Sequence, residues 1–400
     1  MSVTAFAGRR DVLLLSATQA LFQTTSVMVM TVSGIIGQGM ASSGALATLP
    51  IAMMTLMAAA MMIPASLFMQ RRGRKAGFLV GTSIGTLAGL VAALAVWWNS
   101  FVLFVFANML VGAYQAFAQY YRFAAADIAS AAFKSRAISW VVAGGIVAAF
   151  AGPNIARFTG DIGPAPFAVS FLVLCALGCV AFLLVTRLQI PAPTPTDVSG
   201  HARPLSAIMV QPVFLTALVG SVIGYAVMLL VMTATPLAMQ TCGHPMGASA
   251  TVIQWHVVGM FLPSFFTGEL IRRFGVLRIM GAGIALIAAQ VFMSLSGVEF
   301  LHFVSGLVLL GVGWNFLFIG GSTLLTEAYR PSERAKTQAA HDFLMFGAIT
   351  LSTFASGWLL DVYGWRTLNL AVIPFLGVAA LAIAVFGMTA HRPPASPAKG

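Results

Sequence analysis

The side chains in this chain that are best suited to binding a solute are mostly uncharged amides. Gln19 and Gln23 lie four residues apart, and Gln115 and Gln119 repeat that spacing. Residues four apart share one face of an α-helix, so each pair presents two amides in the same direction. Amides are costly in lipid, and those inside apolar helices are expected to face a cavity or a partner helix. Both alternatives are open at this point.

Titratable groups inside apolar segments are few. Asp342 lies beside His341, and His256 lies near the middle of another apolar run. Histidine changes charge near neutral pH, and ionisable groups within a membrane are functional by default, so these three residues are predicted to handle protons. The alternatives are a neutral packing role for His256 and, for Asp342, a pair with a nearby arginine or a helix N-terminus.

Other kinds of chemistry lack their sequence signatures. The chain has no His-Glu-x-x-His, no Gly-x-Ser-x-Gly and no phosphate-binding glycine loop with lysine. Its three cysteines show no metal-ligand spacing. We therefore expect neither an enzyme nor an ATP-driven pump, and no cofactor or metal ion.

The elements that must position these residues are apolar helices. Only 8% of the 400 residues are charged and 59% are hydrophobic, whereas soluble domains carry about 25% charged residues. A spanning helix needs about 20 mostly apolar residues, and long apolar runs in lipid are helices because each satisfies its own backbone hydrogen bonds. The sequence predicts an all-α membrane protein with twelve spans, near 12–36, 45–69, 76–97, 101–121, 137–158, 166–187, 212–238, 247–271, 276–296, 299–328, 334–360 and 366–388.

Basic residues divide unevenly between the predicted loops. An even number of spans puts both termini on one side, and all 21 basic residues except Arg157 and Arg366 then fall on that side, Arg122 among them. Cytoplasmic loops collect Lys and Arg, so both termini are predicted to be cytoplasmic. The net charge of +11 is thereby explained by topology, and no nucleic-acid partner is expected.

A polar, proline-rich segment divides the chain in two. Residues 189–206 contain four prolines, and such a stretch is extended and unable to span a membrane. The predicted organisation is a six-helix bundle over 1–188, a cytoplasmic linker over 189–209, and a second six-helix bundle with a short tail over 210–400.

A basic loop motif follows the second span. Residues 66–75 read S-L-F-M-Q-R-R-G-R-K. This segment resembles the loop signature of the major facilitator superfamily, G-x-x-x-D-R-x-G-R-R/K, with Ser66 in place of the first glycine and Gln70 in place of the aspartate. Glycine in such a loop lets the backbone turn tightly between helices.

The motif recurs half a chain later, after the eighth span. Residues 268–277 read G-E-L-I-R-R-F-G-V-L, where Arg272 replaces the aspartate. Two further landmarks, Asp127 and Arg136, recur at the same offset as Glu327 and Arg334. Parallel repeats are the architecture of this superfamily, and the resemblance covers the whole chain. It implies two pseudo-symmetric six-helix bundles in a bacterial inner membrane.

The repeated charges are predicted to form a cytoplasmic gate. Exposed ion pairs contribute about 0–1 kcal/mol each, which suits contacts that form and break during a transport cycle. The alternative is that these charges serve topology alone. The predicted gate has one cluster in each bundle: Arg71 and Arg74 near Asp127 with Arg136, and Arg273 near Glu327 with Arg334.

The resemblance also implies that spans one, four, seven and ten line a cavity at mid-membrane. Hydrogen bonding between helices is the alternative role for its polar residues, and Trp255 and Trp314 are candidates for stacking on a planar ring. No arginine lies in the middle of a predicted span, which disfavours a strongly anionic substrate. The predicted cavity residues are Gln19, Gln23, Asn108, Gln115, Gln119, Tyr225, Trp314 and Asn315.

The function that these features imply is secondary active transport of a small, neutral or weakly charged organic solute by alternating access. Proton coupling and a monomeric state are expected. Drug–proton antiporters of the superfamily carry an arginine where Asn108 stands, which lowers the weight of that alternative. Residues 254–256 and the tenth and eleventh spans resemble a proteobacterial branch associated with riboflavin uptake, so a vitamin importer is another alternative. A non-transporting receptor or assembly protein on the same fold is the third.

Overall fold

The computed structural model describes residues 3–41, 46, 49–190 and 202–390, and in this part of the chain the regular elements are helices without strands. Apolar residues without long polar interruptions favour helices of membrane-spanning length. The helices are α1 (Val3–Met40), α2 (Leu49–Arg72), α3 (Arg74–Trp97), α4 (Phe101–Ala118), α5 (Tyr121–Ile128), α6 (Lys134–Ala143), α7 (Gly145–Thr159), α8 (Ala168–Thr186), α9 (Leu205–Met209), α10 (Pro212–Thr241), α11 (Met246–Phe261), α12 (Ser264–Phe274), α13 (Val276–Ser296), α14 (Phe300–Leu325), α15 (Arg334–Leu370) and α16 (Val372–Ala390).

These helices make the twelve predicted crossings. Ten segments of the described chain are long and apolar enough to span a membrane. The two further crossings are the broken helix formed by α11 and α12 and the part of α15 that precedes Gly364. Gly364 has φ 76°, a left-handed conformation that glycine adopts without steric cost, and it turns the chain from the eleventh span into the twelfth.

Three spans are broken at places that matter for the interior. The fourth breaks between α4 and α5, the fifth at Gly144 between α6 and α7, and the eighth at Pro263 between α11 and α12. A Cβ at Gly144 would lie 2.4 Å from the Ser16 carbonyl oxygen, so glycine allows the break to pack directly against α1.

The two bundles meet along two equivalent seams. In one, α2 of the first bundle packs against α15 of the second, and in the other, α6 packs against α12. Both seams lie at the end of the molecule that bears the arginine-rich loops 71–75, 272–278 and 330–336, called the basic end below.

The predicted linker is described only at its ends. Residues 191–201 lie outside the described residues. The stretch 189–206 was expected to be extended, but residues 205–209 form the short helix α9, which follows Pro204 and buries Ile208. Proline fits just before a first helical turn, and burial of an apolar side chain favours the helix.

Candidate functional site

A small cavity lies between the two bundles. Three amides, one arginine and four aromatic rings contribute to its wall, so it offers both hydrogen bonds and flat apolar surfaces. The lining residues are Gln19 and Gln23 of α1, Ala118 and Gln119 at the end of α4, Arg122 of α5, Val141 and Val142 of α6, Tyr225 of α10, Phe261 of α11, and Trp314 and Phe318 of α14.

The aromatic residues form one connected cluster. Trp314 and Phe318 are stacked, with ring centroids 4.9 Å apart and an interplanar angle of 12°. Tyr225 meets both rings edge-on, at 5.2 Å and 5.5 Å, and Phe261 meets Trp314 edge-on at 5.8 Å. Edge-to-face and stacked contacts of this kind hold aromatic side chains in defined orientations. The cavity therefore has a rigid aromatic wall supplied by the second bundle.

The predicted amides divide into two groups. Gln19, Gln23 and Gln119 line the cavity together with Tyr225 and Trp314. The side chains of Gln19 and Gln23 form no hydrogen bond with any described residue, so their amides remain available within the cavity.

Two of the other predicted amides, Asn108 and Asn315, bind neighbouring helices. Asn108 accepts a hydrogen bond from Ser33 at 3.1 Å and donates to the Phe104 carbonyl. Asn315 accepts from Thr267 at 2.7 Å and donates to the Met260 carbonyl. Neither residue, nor Gln115, belongs to the cavity wall. Asn108 and Asn315 thus have the alternative role, hydrogen bonding between helices.

Trp255 lies outside the cavity as well. Its side chain on α11 is 53% exposed at the surface of the bundle, where a span presents its side chains to lipid. Of the two tryptophans considered for stacking on a substrate ring, only Trp314 lines the cavity.

Arg122 is the charged residue of the cavity wall, and sequence reasoning did not place it there. It was assigned to a cytoplasmic loop, and no arginine was expected inside a span. The structure corrects this, because Arg122 is 3% exposed and lies in the first turn of α5, which continues the fourth span. Five helical residues separate it from Asp127, so it lies about 7–8 Å deeper than that residue. The argument against an anionic substrate therefore loses its basis.

The partner that permits this burial is Asp342. Arg122 Nη2 donates to both carboxylate oxygens of Asp342 at 2.8 Å, and Arg122 Nη1 donates to the Gln119 carbonyl at 3.0 Å. The guanidinium also lies over the rings of Phe123 and Phe318, at 4.4 Å and 4.8 Å. An isolated buried charge is strongly unfavourable, whereas a paired and hydrogen-bonded one is tolerated. The sequence analysis gave pairing with a nearby arginine as one alternative for Asp342, and this pair is present in the structure.

His341 completes this cluster. Its Nδ1 is 2.8 Å from Asp342 Oδ1, and both side chains are fully buried. Asp342 lies eight residues into α15, about 12 Å below the start of that helix. Arg122, Asp342 and His341 form a buried charged cluster, called the central cluster below, that joins α5 of the first bundle to α15 of the second.

His256 lies apart from the central cluster. It is fully buried between α11 and α14, where its Nδ1 is 2.7 Å from the Leu307 carbonyl. Close to His256, Gly259 and Gly311 allow α11 and α14 to approach each other closely. The structure therefore brings His341 and Asp342 together but does not bring His256 to them.

The charges at the basic end connect the bundles with each other. Asp127 lies 3.3 Å from Arg74 and 3.3 Å from Arg334, which begins α15 of the other bundle. At the equivalent seam, Arg136 of α6 forms an ion pair with Glu269 of α12, which also binds Arg272. Sequence reasoning expected one cluster within each bundle and missed Glu269. The correction follows from the way the bundles meet, because the helices that carry Arg136 and Arg334 in their first turns pack against the helices that end in the other bundle's loop motif.

Three predicted gate residues take no part in these pairs. Arg71 is exposed, and Arg273 is exposed with its guanidinium over the Phe274 ring. Glu327 forms no ion pair within the described part of the chain. The expected contacts from Arg71 to Asp127 and from Arg273 to Glu327 are therefore not formed in this structure.

Neutral hydrogen bonds close both seams at the same level. Ser66 donates to the Ala335 carbonyl at 2.7 Å, and Ser135 donates to the Gly268 carbonyl at 3.0 Å. A Cβ at Gly268 would lie 2.6 Å from the Arg136 Cα, so glycine is required where the backbones of α12 and α6 approach. Ser66 and Gly268 are the first positions of the two loop motifs, which explains why a small residue stands at each.

The basic end and the central cluster are joined by further polar contacts. Arg74 Nη2 donates to Gln338 Oε1 at 2.6 Å, and Gln338 donates to the Tyr329 hydroxyl at 2.6 Å. Gln338 lies one turn before Asp342 on α15. A column of paired polar groups thus runs from the outer ion pairs to the cavity and closes this end of the molecule.

The loop before α15 is held by a separate ion pair. Glu333 is fully buried and accepts from Arg203 Nε at 2.8 Å and from the Arg330 backbone at 3.0 Å. Hydrogen bonding from Arg203 is the main reason that the pKa of Glu333 falls from 4.5 to about 2. The ionised form stabilises the fold above the ordinary pKa, and this contribution is lost only as the pH falls through about 2. The returning linker is therefore anchored to the second bundle at physiological pH.

A metal site is not apparent among the described residues, which contain no group of three His, Cys, Asp or Glu side chains able to hold an ion. The cavity wall is likewise poor in metal ligands. Its chemistry is that of hydrogen-bond donors and acceptors, aromatic faces and one paired arginine.

Comparison with known proteins shows which family has this architecture. The family model described as Major Facilitator Superfamily matches residues 13–262 and 223–400. A relative named riboflavin transporter RfnT, from Brucella anthropi, is 41% identical over 377 residues, which cover 94% of this chain and 95% of the relative. The uncharacterised MFS-type transporter YdeG of Bacillus subtilis is 31% identical over 364 residues, covering 86% of this chain and 84% of that protein.

Solved structures agree in fold. The fucose:proton symporter FucP of E. coli superposes with a TM-score of 0.75 at 14% identity and covers 96% of this chain and 98% of its own. The proton:xylose symporter XylE has a TM-score of 0.75 at 14% identity, with 96% and 95% coverage. At this identity the likeness concerns the fold alone.

Proposed function

Since the chain belongs to the major facilitator superfamily and is a multi-pass membrane transporter, we propose that it moves a planar, hydrogen-bonding organic solute by alternating access, with riboflavin as the leading substrate. One observation carries this proposal. The cavity between the bundles combines a rigid aromatic wall with free amides. A tricyclic ring with carbonyl and imide groups has the matching chemistry, and a relative at 41% identity is named as a riboflavin transporter.

The basic end is proposed to face the cytoplasm, in a bacterial inner membrane. The concentration of arginine and lysine in its loops supports this orientation. The ion pairs of Asp127 and Glu269 and the seam hydrogen bonds would then form the cytoplasmic gate, closed in this conformation. Opening it requires that the bundles separate at α2 and α15 and at α6 and α12.

Transport is proposed to be coupled to protons through the central cluster. Asp342 bridges the bundles through Arg122, so any change in its charge alters the attraction between them. His341 is in direct contact with Asp342 and supplies a second group able to carry a proton. Tyr120 and Tyr225 are the other titratable side chains near Asp342. Binding and release of a proton at this cluster would thus change both the charge at the cavity wall and the attraction between the bundles.

Two other functions are weighed against this proposal. A drug–proton antiporter would be expected to extrude diverse cations. Its characteristic arginine position is occupied by Asn108, whose side chain bonds to Ser33 and Phe104. A receptor or assembly protein on the same fold has no need of a gate and a buried titratable cluster. The direction of transport, which an uptake experiment measures, distinguishes an importer from an exporter.

The test is uptake in a bacterial riboflavin auxotroph that lacks its own riboflavin transporter. Expression of this chain should restore growth at low external riboflavin and raise the rate of radiolabelled riboflavin uptake. Unlabelled riboflavin in excess should compete, whereas a sugar such as fucose or xylose should not. Failure to raise uptake, with the protein detected in the membrane fraction, would remove riboflavin import as its function.

A further inference from the structure

Two hydrogen-bond donors in the cavity wall have no partner. Arg122 Nε and Trp314 Nε1 are both buried, and neither forms a hydrogen bond with a described residue. The residues are 3% and 1% exposed, and both line the cavity. Leaving a buried donor unsatisfied is costly, so a pair of them at one wall indicates a place that a ligand completes.

Both donors belong to residues that lie against the same ring, Phe318. The guanidinium of Arg122 is 4.8 Å from the centroid of the Phe318 ring, and the indole of Trp314 stacks on the same ring at 4.9 Å. Phe318 therefore holds both groups in place, one from each bundle. Neither an indole N–H nor a guanidinium N–H accepts hydrogen bonds, so this part of the wall recognises acceptors.

We propose that Arg122 and Trp314 bind the acceptor-rich edge of the substrate, its ring carbonyls in the case of riboflavin, and that the charge of Asp342 sets how strongly Arg122 binds this edge. The inference deepens the proposed function and rests on it. The substrate is thereby held by both bundles at once, through Arg122 of the first and Trp314 of the second.

Charge distinguishes the two states of the site. While Asp342 is ionised, both of its oxygens accept hydrogen bonds from Arg122 Nη2. The pair then has no net charge, which suits binding of a neutral carbonyl group of the substrate. When Asp342 loses its charge, Arg122 becomes a free cation in the wall. Charge-assisted hydrogen bonds are about twice as strong as neutral ones, so the same edge is then bound more tightly.

The test compares two explanations for Arg122, a substrate ligand or a counter-ion for Asp342. The double variant Arg122→Gln with Asp342→Asn removes both charges and keeps polar side chains that bond to each other. Riboflavin binding to purified protein is measured by quenching of riboflavin fluorescence, and folding by size-exclusion profile and thermal unfolding. We expect the double variant to be folded and to bind riboflavin about 10- to 100-fold more weakly, the loss expected for a hydrogen bond to a charged group.

The matched test for the second donor uses two tryptophans. Trp314→Phe removes the unpartnered indole N–H in the cavity and should weaken binding about 3- to 10-fold. Trp365→Phe removes another unpartnered indole N–H, which lies outside the cavity wall, and should leave binding unchanged. A flavin analogue that lacks one ring carbonyl should lose affinity for the wild-type protein and much less for the double variant.

The outcomes separate the inference from the function on which it rests. If the wild-type protein binds no riboflavin, the proposed substrate is wrong and the inference falls with it. If the wild-type protein binds and the double variant binds equally well, Arg122 is a counter-ion only and the inference alone is overturned. Equal binding by the Trp314→Phe and Trp365→Phe variants overturns it as well, including where the double variant does not fold.

Discussion

At the scale of single residues, the pair of Arg122 and Asp342 is a buried ion pair that joins the two bundles. Both side chains are buried, and removing one partner of a buried ion pair costs about 3–5 kcal/mol because the other charge is left uncompensated. An arrangement so sensitive to charge responds strongly to a single proton. That sensitivity is the physical basis for assigning the coupling of transport to this cluster.

Asp342→Asn tests the assignment directly. Asparagine keeps an acceptor for Arg122 but cannot gain or lose a proton. We expect accumulation of riboflavin driven by a pH gradient to fall to the equilibrium level, while exchange of internal for external riboflavin persists. Both are measured in proteoliposomes. Full gradient-driven accumulation by this variant would show that the proton is carried elsewhere.

His256→Asn is the companion variant. Asparagine retains a donor near the position of Nδ1, which faces the Leu307 carbonyl, but it does not titrate. Because His256 lies apart from the central cluster, gradient-driven accumulation should persist in this variant. Its loss, with exchange retained, would restore His256 as a proton carrier.

At the scale of elements, the two seams decide whether the basic end is open or closed. The seam of α6 and α12 depends on the backbone approach at Gly268, and the seam of α2 and α15 on Ser66 and Arg74. Individual surface ion pairs are weak. Closure is therefore the sum of several small contacts, which allows the bundles to part during a cycle.

Gly268→Ala should open the α6–α12 seam. Its Cβ would fall 2.6 Å from the Arg136 Cα, and overpacking of this kind costs about 1–3 kcal/mol. Hydrogen–deuterium exchange of peptides from α6 and α12 should become faster. Gly281→Ala is the matched control, a helical glycine with no atom within 4 Å of the new Cβ. Equal exchange in the two variants would mean that this seam is not a gate.

Arg74→Ala should weaken the other seam, since it removes contacts with Asp127 and Gln338. We expect faster exchange in α2 and the start of α15, and a change in transport rate that exceeds the change in riboflavin affinity. Arg71→Ala serves as control, because Arg71 belongs to the same loop but is exposed. Identical effects of the two substitutions would mean that both arginines contribute only to membrane topology and not to the gate.

Sequence reasoning predicted the elements better than their contacts. Hydropathy and the basic-residue bias predict the spans because each is a local property, and the structure has twelve crossings as expected. Arg122 was misplaced because a charge normally ends an apolar run, and its partner Asp342 lies 220 residues away. Asn108 and Gln119 were both predicted to line the cavity, and only Gln119 does. Helical spacing alone does not distinguish a residue that faces a cavity from one that faces a neighbouring helix. Glu269 was missed because its partners depend on how two separate bundles meet.

At the scale of the whole molecule, α15 connects the polar contacts of the gate with those of the cavity. Asp127 contacts Arg74, which donates to Gln338, and one turn of α15 separates Gln338 from Asp342, the partner of Arg122. A solute bound at Arg122 and Trp314 touches both bundles. Movement of the bundles is thereby linked to what occupies the cavity and to the charge of the central cluster, as alternating access requires.

The central claim, that this chain transports riboflavin through the cavity between its bundles, is tested most directly by counterflow. Proteoliposomes that contain the purified protein are loaded with unlabelled riboflavin and diluted into a trace of radiolabelled riboflavin. We predict transient accumulation of the label above its external concentration, strongly reduced in the Arg122→Gln, Asp342→Asn double variant and unaffected in Trp365→Phe. Wild-type proteoliposomes that accumulate no more label than protein-free vesicles would contradict the claim.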